Sequence, residues 1–348
     1  MKKTPFVALA TIVTAAALGL TGCVAGEGAP APAETTAGPV LGADGWSSDT
    51  LNIDFATYNP LSLIIKDQGW LEAATAGDVT INWVQSAGSN KANEALRAGA
   101  IDVGSTAGSA ALLARSNGSP IKTIDIYSQP DWAAIAVAAG SSIKTVKDLK
   151  GHSIAVTIGT DPYFFLLQTL DEAGLSLDDV TIVNLQHADG KAALENGSVD
   201  AWSGLDPLLA TSIVTAGTKI IYDNPDFNSY GFLNATETFL QKSPDLAQLV
   251  VNAYEQARAW AVANPQKAAD ILAGVAGIDP KIASAVLIDR TNFDIDGIPG
   301  QAQLDVLKVI GPVLVDTSAV PSQDLVDAAL KGLLEPKYAE QADPTFFG

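Results

Sequence analysis

Short β-branched runs alternate with amphipathic helical segments along the chain, and the same series of segments occurs twice. In the first series a strand leads to Asn59-Pro60, an apolar helix and the strand DVTI at Asp78–Ile81. In the second, a strand leads to Asp161-Pro162, an apolar helix and DVTI again at Asp179–Ile182. A capping side chain before a proline at the first helical position is a strong helix start. The pattern predicts two α/β lobes of like topology.

The two series continue in parallel after each DVTI segment. A helix ends at Gly99 or at Gly197, and a strand then opens with Ile101-Asp102 or with Val199-Asp200. Strands that alternate with helices imply parallel sheets with helices on both faces. In such sheets ligands bind beyond the carboxyl ends of the strands, so we expect a ligand cleft between the lobes.

Two further apolar strand segments are predicted to connect the lobes. One lies within Ile121–Gly140 and leads from the first lobe to the second; the other, Tyr230–Thr236, leads back. Two crossings form a hinge that permits closure around a ligand, and the remaining sequence is predicted to be helical and to cover the first lobe. The expected organisation is a signal peptide at 1–22, a flexible tether at 23–47, lobe 1 at 48–135, lobe 2 at 136–232, and the second part of lobe 1 at 233–348.

The N-terminal segment has the pattern of a targeting sequence. Lys2 and Lys3 precede an apolar run from Phe6 to Leu20, which ends in Leu-Thr-Gly-Cys at Cys23. This is the arrangement of a bacterial lipobox, in which the cysteine receives a lipid after cleavage before it; an ordinary secretory signal peptide is the alternative. The Pro-, Ala-, Gly- and Thr-rich stretch that follows predicts a flexible tether. We therefore expect an extracytoplasmic protein held to the membrane only by a lipid on Cys23.

Composition excludes several classes of function. The net charge of −19 argues against a nucleic-acid partner, which requires a basic surface. One cysteine and two histidines exclude an intrachain disulfide and most zinc sites, and no metal or cofactor is expected. His152 and His187 are each isolated and are interpreted as structural. Gly151–Ala155 (GHSIA) lacks the last glycine of a nucleophile elbow, and no phosphate-binding loop is found, so catalysis is not expected.

The segment Ser141–Pro207 resembles the second lobe of ABC-transporter substrate-binding proteins of the aliphatic sulfonate, taurine and nitrate group. The matching motifs are Lys144–Gly151 (KTVKDLKG), Gly159-Thr160, Ala188-Asp189, and Val199–Trp202 (VDAW) with Asp206-Pro207. The first lobe is similar at Tyr58-Asn59 and Gly104–Thr106. Leu205 and Asp161 depart from the family pattern, which often has tryptophan and serine there.

The resemblance implies a type II periplasmic-binding-protein-like fold: two α/β lobes, a two-crossing hinge and a cleft between them. It also implies a monomer that delivers a small molecule to the permease and ATPase subunits of an ABC importer. The expected ligand is an aliphatic sulfonate, and a taurine-like zwitterion, nitrate, or an amine or heterocycle are alternatives. An enzyme on the same fold and a sensory lipoprotein remain open as other functions.

Candidate ligand-binding residues are those expected at helix starts and near the hinge. Free N–H groups and a hydroxyl at a helix start can hold an anion, and Asn59, Asp161 and Asp206 are also suited to capping. Trp202 is either the wall for an aliphatic tail or a core side chain. The candidates are Tyr58, Asn59, Ser105 and Thr106 in lobe 1, Asp131 and Trp132 near the hinge, and Gly159, Thr160, Asp161, Trp202 and Asp206 in lobe 2. Ser105-Thr106 is predicted to open the lobe-1 helix equivalent to the one that follows Gly159-Thr160.

Overall fold

Two separate β-sheets organise the protein in the computed structural model, which describes residues 41–348. The strands, in chain order, are β1 (Thr50–Phe55), β2 (Thr80–Gln85), β3 (Val103–Ala107), β4 (Ile121–Pro130), β5 (Ala133–Val137), β6 (Ser153–Val156), β7 (Thr181–Asn184), β8 (Ala201–Leu205), β9 (Lys219–Asp223), β10 (Gly231–Thr236) and β11 (Thr291–Asn292). One sheet has the order β11-β4-β10-β3-β1-β2 and the other β7-β6-β8-β5-β9. We call the parts of the protein built on these sheets lobe 1 and lobe 2.

The repeated sequence pattern corresponds to repeated strand pairing. In lobe 1, β1 pairs in parallel with β2 and β3, with Leu51 opposite Ile81. In lobe 2, β6 pairs in parallel with β7 and β8, with Ile154 opposite Ile182. Both DVTI segments thus lead into the strand that pairs in parallel with the first strand of their own repeated series, and the predicted fold class of two similar α/β lobes is confirmed.

The expectation of purely parallel sheets is wrong for the strands near the connections between lobes. β10 runs antiparallel to β3 and β4, and β5 runs antiparallel to β8 and β9. These strands lie where the chain passes between lobes, so it does not return through a crossover helix, the connection that parallel neighbours need. The result is two mixed sheets.

Within residues 41–348, seven helices belong to the two repeated series, and seven more follow β10. The first set is α1 (Pro60–Gln68), α2 (Trp70–Thr75), α3 (Ser89–Ala98), α4 (Gly108–Ser116), α5 (Asp161–Glu172), α6 (His187–Glu195) and α7 (Leu208–Ala216). The second is α8 (Glu237–Lys242), α9 (Pro244–Ala263), α10 (Pro265–Ala276), α11 (Pro280–Ser284), α12 (Gln301–Asp316), α13 (Gln323–Gly332) and α14 (Lys337–Glu340).

The C-terminal helices pack mainly on lobe 1. Helix α9 begins with Pro244 and buries Leu246, Val250 and Ala257 along one face, which packs on α1 and β4. Helices α12 and α13 contact α4, and α12 also reaches α5 of lobe 2. In the described part of the chain, no helix is both long enough and apolar enough to span a membrane.

The segment predicted as a signal peptide and tether lies mostly outside the described residues. The last part of the predicted tether, 41–47, contacts the body of the protein. Leu41 and Trp46 pack against the hydrophobic core, and the Ser47 backbone N–H donates to the Asp245 carboxylate at 2.9 Å. The apolar side chains at 41 and 46 account for this attachment, since their burial removes apolar surface from water.

Gly231 in β10 allows close packing at one crossing between the lobes. A Cβ added to this residue would overlap the ring of the fully buried Tyr127. Gly231→Ala should therefore lower the free energy of unfolding by about 1–3 kcal/mol, the cost of overpacking. Gly274→Ala is the control, because Gly274 lies within α10 and a Cβ added there would have no neighbouring atom within 4 Å. That substitution should be neutral or stabilising in urea unfolding; equal stability of the two variants would contradict the packing argument.

Candidate functional site

The carboxylate of Asp161 joins the two lobes. Asp161 opens α5 in lobe 2, and its side chain is 1% exposed. It accepts hydrogen bonds from Ser109 Oγ at 2.6 Å, Ser229 Oγ at 2.5 Å, Ser229 N at 2.9 Å and Trp132 Nε1 at 2.8 Å. Ser109 lies in the first turn of α4 in lobe 1, Trp132 lies between β4 and β5, and Ser229 directly precedes the β10 region. We call Ser109, Trp132 and Ser229 the cradle.

The cradle is an anion-binding arrangement made of neutral donors. Burial raises the pKa of Asp161, while the hydrogen bonds from Ser109, Ser229 and Trp132 act to lower it. Two donors at Ser229 (its N–H and its hydroxyl), one hydroxyl at a helix start and one indole N–H converge on two oxygens. Oriented dipoles of this kind can hold a monoanion without a full countercharge. In this structure the anion is the protein's own carboxylate.

A second connection between the lobes is made by Arg290. This residue follows a π-helical turn, Ala285–Asp289, and precedes β11 of lobe 1. Its Nη1 lies 3.2 Å from Oδ2 of Asp206, and its Nε lies 3.7 Å from Oδ2 of Asp131. Asp206 also accepts a hydrogen bond from the Ala210 N–H in the first turn of α7 at 2.9 Å, although the N-cap residue of this helix is Pro207. Burial raises the pKa of Asp206 to about 6, against the opposing effect of Arg290.

A buried carboxyl group that the sequence analysis missed lies beneath the cradle. Asp54, near the end of β1, accepts from Ser105 N at 2.9 Å and from Ser105 Oγ at 3.0 Å. The Tyr58 hydroxyl donates to the Ser105 carbonyl at 3.0 Å, and the Tyr58 ring packs edge-on against Trp132. Burial raises the pKa of Asp54 to about 7. An aspartate between the apolar residues Ile53 and Phe55 of a strand was the available sequence signal.

The placement of Ser105 and Thr106 at a helix start is wrong. Both lie within β3, and α4 begins at Gly108. Ser105 donates hydrogen bonds to Asp54. Thr106 Oγ1 donates to the Ala107 carbonyl and accepts from Asn234 Nδ2, both at 2.8 Å. The reason is that β3 pairs with β10 through Thr106 and Ala107, which prolongs the strand. Ser109 occupies the helix start predicted for Ser105-Thr106.

The remaining predicted residues fall into separate environments. Asn59 is fully buried, caps α1 and donates to the Tyr254 hydroxyl at 2.9 Å. Trp202 is fully buried in the lobe-2 core, where Cβ atoms built on Gly190 and Gly204 would contact its ring. It therefore occupies the core position that was the alternative to a cleft wall. The Thr160 hydroxyl donates to the Thr157 carbonyl at 2.7 Å.

Gly159 faces lobe 1 directly. It has a φ of +81°, and a Cβ built on it would lie 3.8 Å from both Asn90 and Leu113. A cavity of ≈ 210 Å³ opens here, formed mainly by α3 and α4 of lobe 1 and touched by lobe 2 at Gly159. It is lined by Asn90, Asn93, Glu94, Arg97, Leu113, Ala114, Asn117, Ser119 and Gly159. The structure thus brings Tyr58, Trp132, Gly159, Thr160 and Asp161 to one region between the lobes. Asp131 and Asp206 lie elsewhere, in the ion pairs with Arg290.

Two α/β lobes linked by crossing strands, with helix starts facing between them, define a solute-binding protein of the periplasmic-binding-protein fold. Solved structures support this class. The alkanesulfonate-binding protein SsuA from Xanthomonas axonopodis pv. citri, bound to MOPS, superposes with a TM-score of 0.73 at 25% identity, covering 81% of this chain and 98% of that one. The periplasmic aliphatic sulphonate binding protein SsuA from Escherichia coli gives 0.70 at 26% identity, covering 83% and 93%.

Sequence comparison identifies the family. Residues 63–268 match the NMT1/THI5 like family model, and the chain belongs to this family. An aliphatic sulfonates-binding protein of Bacillus subtilis (strain 168) is 33% identical over 236 residues, which cover 66% of this chain and 70% of the relative. A protein of the same name from Escherichia coli (strain K12) is 31% identical over 212 residues, covering 60% and 66%. The matched region spans about two thirds of these relatives, and the resemblance noted from the sequence is confirmed.

The raised pKa of Asp54 predicts a specific pH dependence of stability. A carboxyl group whose pKa is higher in the folded than in the unfolded state stabilises the fold at low pH, and this contribution is lost as pH rises through the folded value, here about 7. Asp54→Asn should remove that loss, so its stability relative to wild type should increase between pH 5 and pH 8. Urea unfolding at both pH values measures this. Asp67→Asn, an exposed change on α1, is the control, and a parallel response of Asp54→Asn and wild type would contradict the assignment.

Proposed function

We propose that this chain is the extracytoplasmic solute-binding component of an ABC importer and that it binds an aliphatic sulfonate between its lobes. The observation that carries the proposal is the cradle, an anion-binding arrangement at the lobe boundary of a protein whose relatives are named for sulfonate binding. We further propose a monomer that is anchored through a lipid on Cys23 and docks on permease and ATPase subunits. The relatives' names as binding proteins favour a role without catalysis.

A sulfonate head suits the chemistry of the cradle. Ser109, Trp132 and Ser229 offer four N–H or O–H donors, and none of these residues carries a positive charge. Ser109 also lies in the first turn of α4, where the helix dipole favours negative charge. A sulfonate spreads one charge over three oxygens, so several neutral donors can satisfy it. The cradle is therefore better suited to a monoanion than to a dianion, which would need compensating cations.

Asp161 competes with such a ligand. Its carboxylate already accepts the four cradle hydrogen bonds, and as a charge it would repel an incoming sulfonate. Binding therefore requires Asp161 to be protonated or to rotate away from the cradle. The same competition gives Asp161 a role in closure, since its bond to Ser109 holds the lobes together until a ligand takes its place.

Calorimetry with short alkanesulfonates tests the proposed ligand. Wild-type protein should bind them more tightly as pH falls, because burial raises the pKa of Asp161 and its neutral form no longer repels the anion. Asp161→Ser should bind about tenfold more tightly than wild type at neutral pH, as expected when charge-assisted hydrogen bonds become available to the ligand. The variant should also lose the pH dependence.

Asp189→Ser is the matched control for this experiment. Asp189 lies in the first turn of α6, the neighbouring lobe-2 helix, and its side chain is exposed. Its replacement should leave affinity and pH dependence unchanged. Absence of alkanesulfonate binding by both wild type and Asp161→Ser would refute the sulfonate assignment, as would weaker binding by Asp161→Ser.

Lipid anchoring is tested separately through Cys23, which precedes the described residues. Cys23→Ala removes the sulfur that would carry the lipid, so the protein should move from the membrane fraction to the soluble extracytoplasmic fraction. Val24→Ala keeps the sulfur and should remain in the membrane fraction. Fractionation followed by immunoblotting measures the distribution, and a Cys23→Ala protein that stays with the membrane would disprove the anchor.

A further inference from the structure

The guanidinium of Arg290 lies between two carboxylates that belong to different lobes. Its Nη1 is 3.2 Å from Oδ2 of Asp206, which follows β8, and its Nε is 3.7 Å from Oδ2 of Asp131, which follows β4. The distance to Asp131 is too long for a hydrogen bond. Among residues 41–348, Asp206 Oδ2 and Arg290 Nη2 are buried without a hydrogen-bond partner. The guanidinium is therefore held by charge between the two carboxylates and is not firmly bonded to either.

The backbone holds Arg290 and Asp131 together. The Asp131 N–H donates to the Arg290 carbonyl at 2.9 Å, and β11, which begins directly after Arg290, pairs with the end of β4. The Thr291 hydroxyl donates to the Val286 carbonyl at 2.9 Å and so fixes the π-helical turn that precedes Arg290. We therefore expect Arg290 and Asp131 to move as one unit with lobe 1 when the lobes separate.

Asp206 moves with lobe 2 but lies beside a crossing between the lobes. It directly follows β8, whose last residue pairs with Ala133 of β5, and its own N–H donates to the Trp132 carbonyl at 3.0 Å. A rotation at this crossing therefore moves Asp206 only a short way from Arg290. A rotation of the Arg290 side chain toward Asp131 can cover that distance, so the arginine can change its partner as the lobes open.

One cation faces three carboxylates in this cluster. The third belongs to Asp223, which is exposed at the end of β9 in lobe 2. Burial raises the pKa of Asp206, Arg290 acts to lower it, and Asp131 and Asp223 raise it further. Burial also raises the pKa of Asp131, with Arg290 and Asp223 acting in the same opposed ways. Without Arg290, the carboxylates of lobe 2 would repel that of Asp131 in lobe 1.

We propose that Arg290 is a positioning residue for lobe closure, shared between Asp131 and Asp206 when the lobes are closed and paired with Asp131 alone when they are open. The exchange keeps a partner for the guanidinium in both forms, so opening does not leave an unpaired cation. The inference goes beyond the proposed function. It depends on movement of the lobes and not on the identity of the ligand.

Two substitutions should shift the lobes in opposite directions. Arg290→Gln leaves Asp131 and Asp206 facing each other without a cation, so the ratio of open to closed protein should rise about tenfold. Asp131→Asn removes the partner that Arg290 has in the open form and relieves the repulsion of Asp206 in the closed form. The ratio should then fall about threefold, the effect of a partly exposed ion pair. If the Arg290–Asp131 pair were merely structural, both substitutions would break the same contact and act in the same direction.

Electron paramagnetic resonance distances between two spin labels measure this ratio in ligand-free protein. The labels are placed by Asp67→Cys on α1 and Asp189→Cys on α6, two exposed positions in different lobes. The background is Cys23→Ala, because Cys23 is the only cysteine of the chain. A pH of 8 keeps Asp206 ionised, since its pKa is about 6.

Two further variants control the measurement. Asp226→Asn removes an exposed carboxylate between β9 and β10 and should leave the distances unchanged. The whole series is repeated with Ser109→Ala, which removes the hydroxyl that bonds to Asp161 across the lobes and thereby supplies an open population. Adding Asp131→Asn to Arg290→Gln should reverse most of the opening, because it removes the repulsion that the lost cation had balanced.

Opposite shifts of the two single variants would support the exchange. A shift of both in the same direction, or unchanged distances in both, would overturn it. If Arg290→Gln does not fold, Asp131→Asn decides alone: a smaller open fraction supports the exchange, and an equal or larger one overturns it. No ligand is added, so a failure of sulfonates to bind does not affect this result, and a failure of the exchange leaves the sulfonate assignment standing.

Discussion

The arrangement of the lobes depends on the hydrogen bonds that the buried carboxylate of Asp161 accepts. A charge removed from water is tolerated only where several well-placed donors replace the lost hydration, and here these donors come from α4 and from both connections between the lobes. Because Ser109, Trp132 and Ser229 satisfy the carboxylate only together, the network specifies one relative position of the lobes. Its influence extends into lobe 1, since the Trp132 ring packs on Tyr58, which in turn bonds to the strand that carries Ser105.

The second contact between the lobes, made by Arg290, consists of ion pairs. Arg290 pairs with Asp206 and Asp131, so its strength depends on formal charges on both sides. The Asp161 cradle, by contrast, holds its carboxylate with neutral donors only. Opening of the cleft would have to break both contacts, and a ligand that binds as proposed would replace only the contact at the cradle. On that proposal, the cradle is the point at which ligand binding can be coupled to closure.

The features of this structure that can be predicted from the sequence are those set by residues close together in the chain. Asn59-Pro60 and Asp161-Pro162 both mark helix starts, and the doubled pattern then gives two lobes. Asn59 caps α1 as predicted, but the prediction that Asp161 caps α5 is wrong: the N-cap is Thr160, and the Asp161 carboxylate bonds to the cradle instead. The partners of Asp161 could not be predicted, because Ser109 and Ser229 are 52 and 68 residues away and no local pattern relates them. Ser105 was misplaced because small polar residues continue from β3 into α4, so the boundary has no sequence signal. Trp202 belongs to the core because Gly190 and Gly204 leave room for its ring.

A protein with a net charge of −19 faces a general difficulty in capturing an anion. Its overall field repels the ligand, but at physiological ionic strength charges farther away than about 8 Å are largely screened. The outcome is then decided by the groups in contact with the ligand, and within the cradle these are donors competing with a single nearby carboxylate. A zwitterion would be repelled less by the protein, because its ammonium group is attracted by the same acidic surroundings that repel its sulfonate. The negative charge of the protein therefore opposes an anion less strongly when that anion also carries a positively charged group.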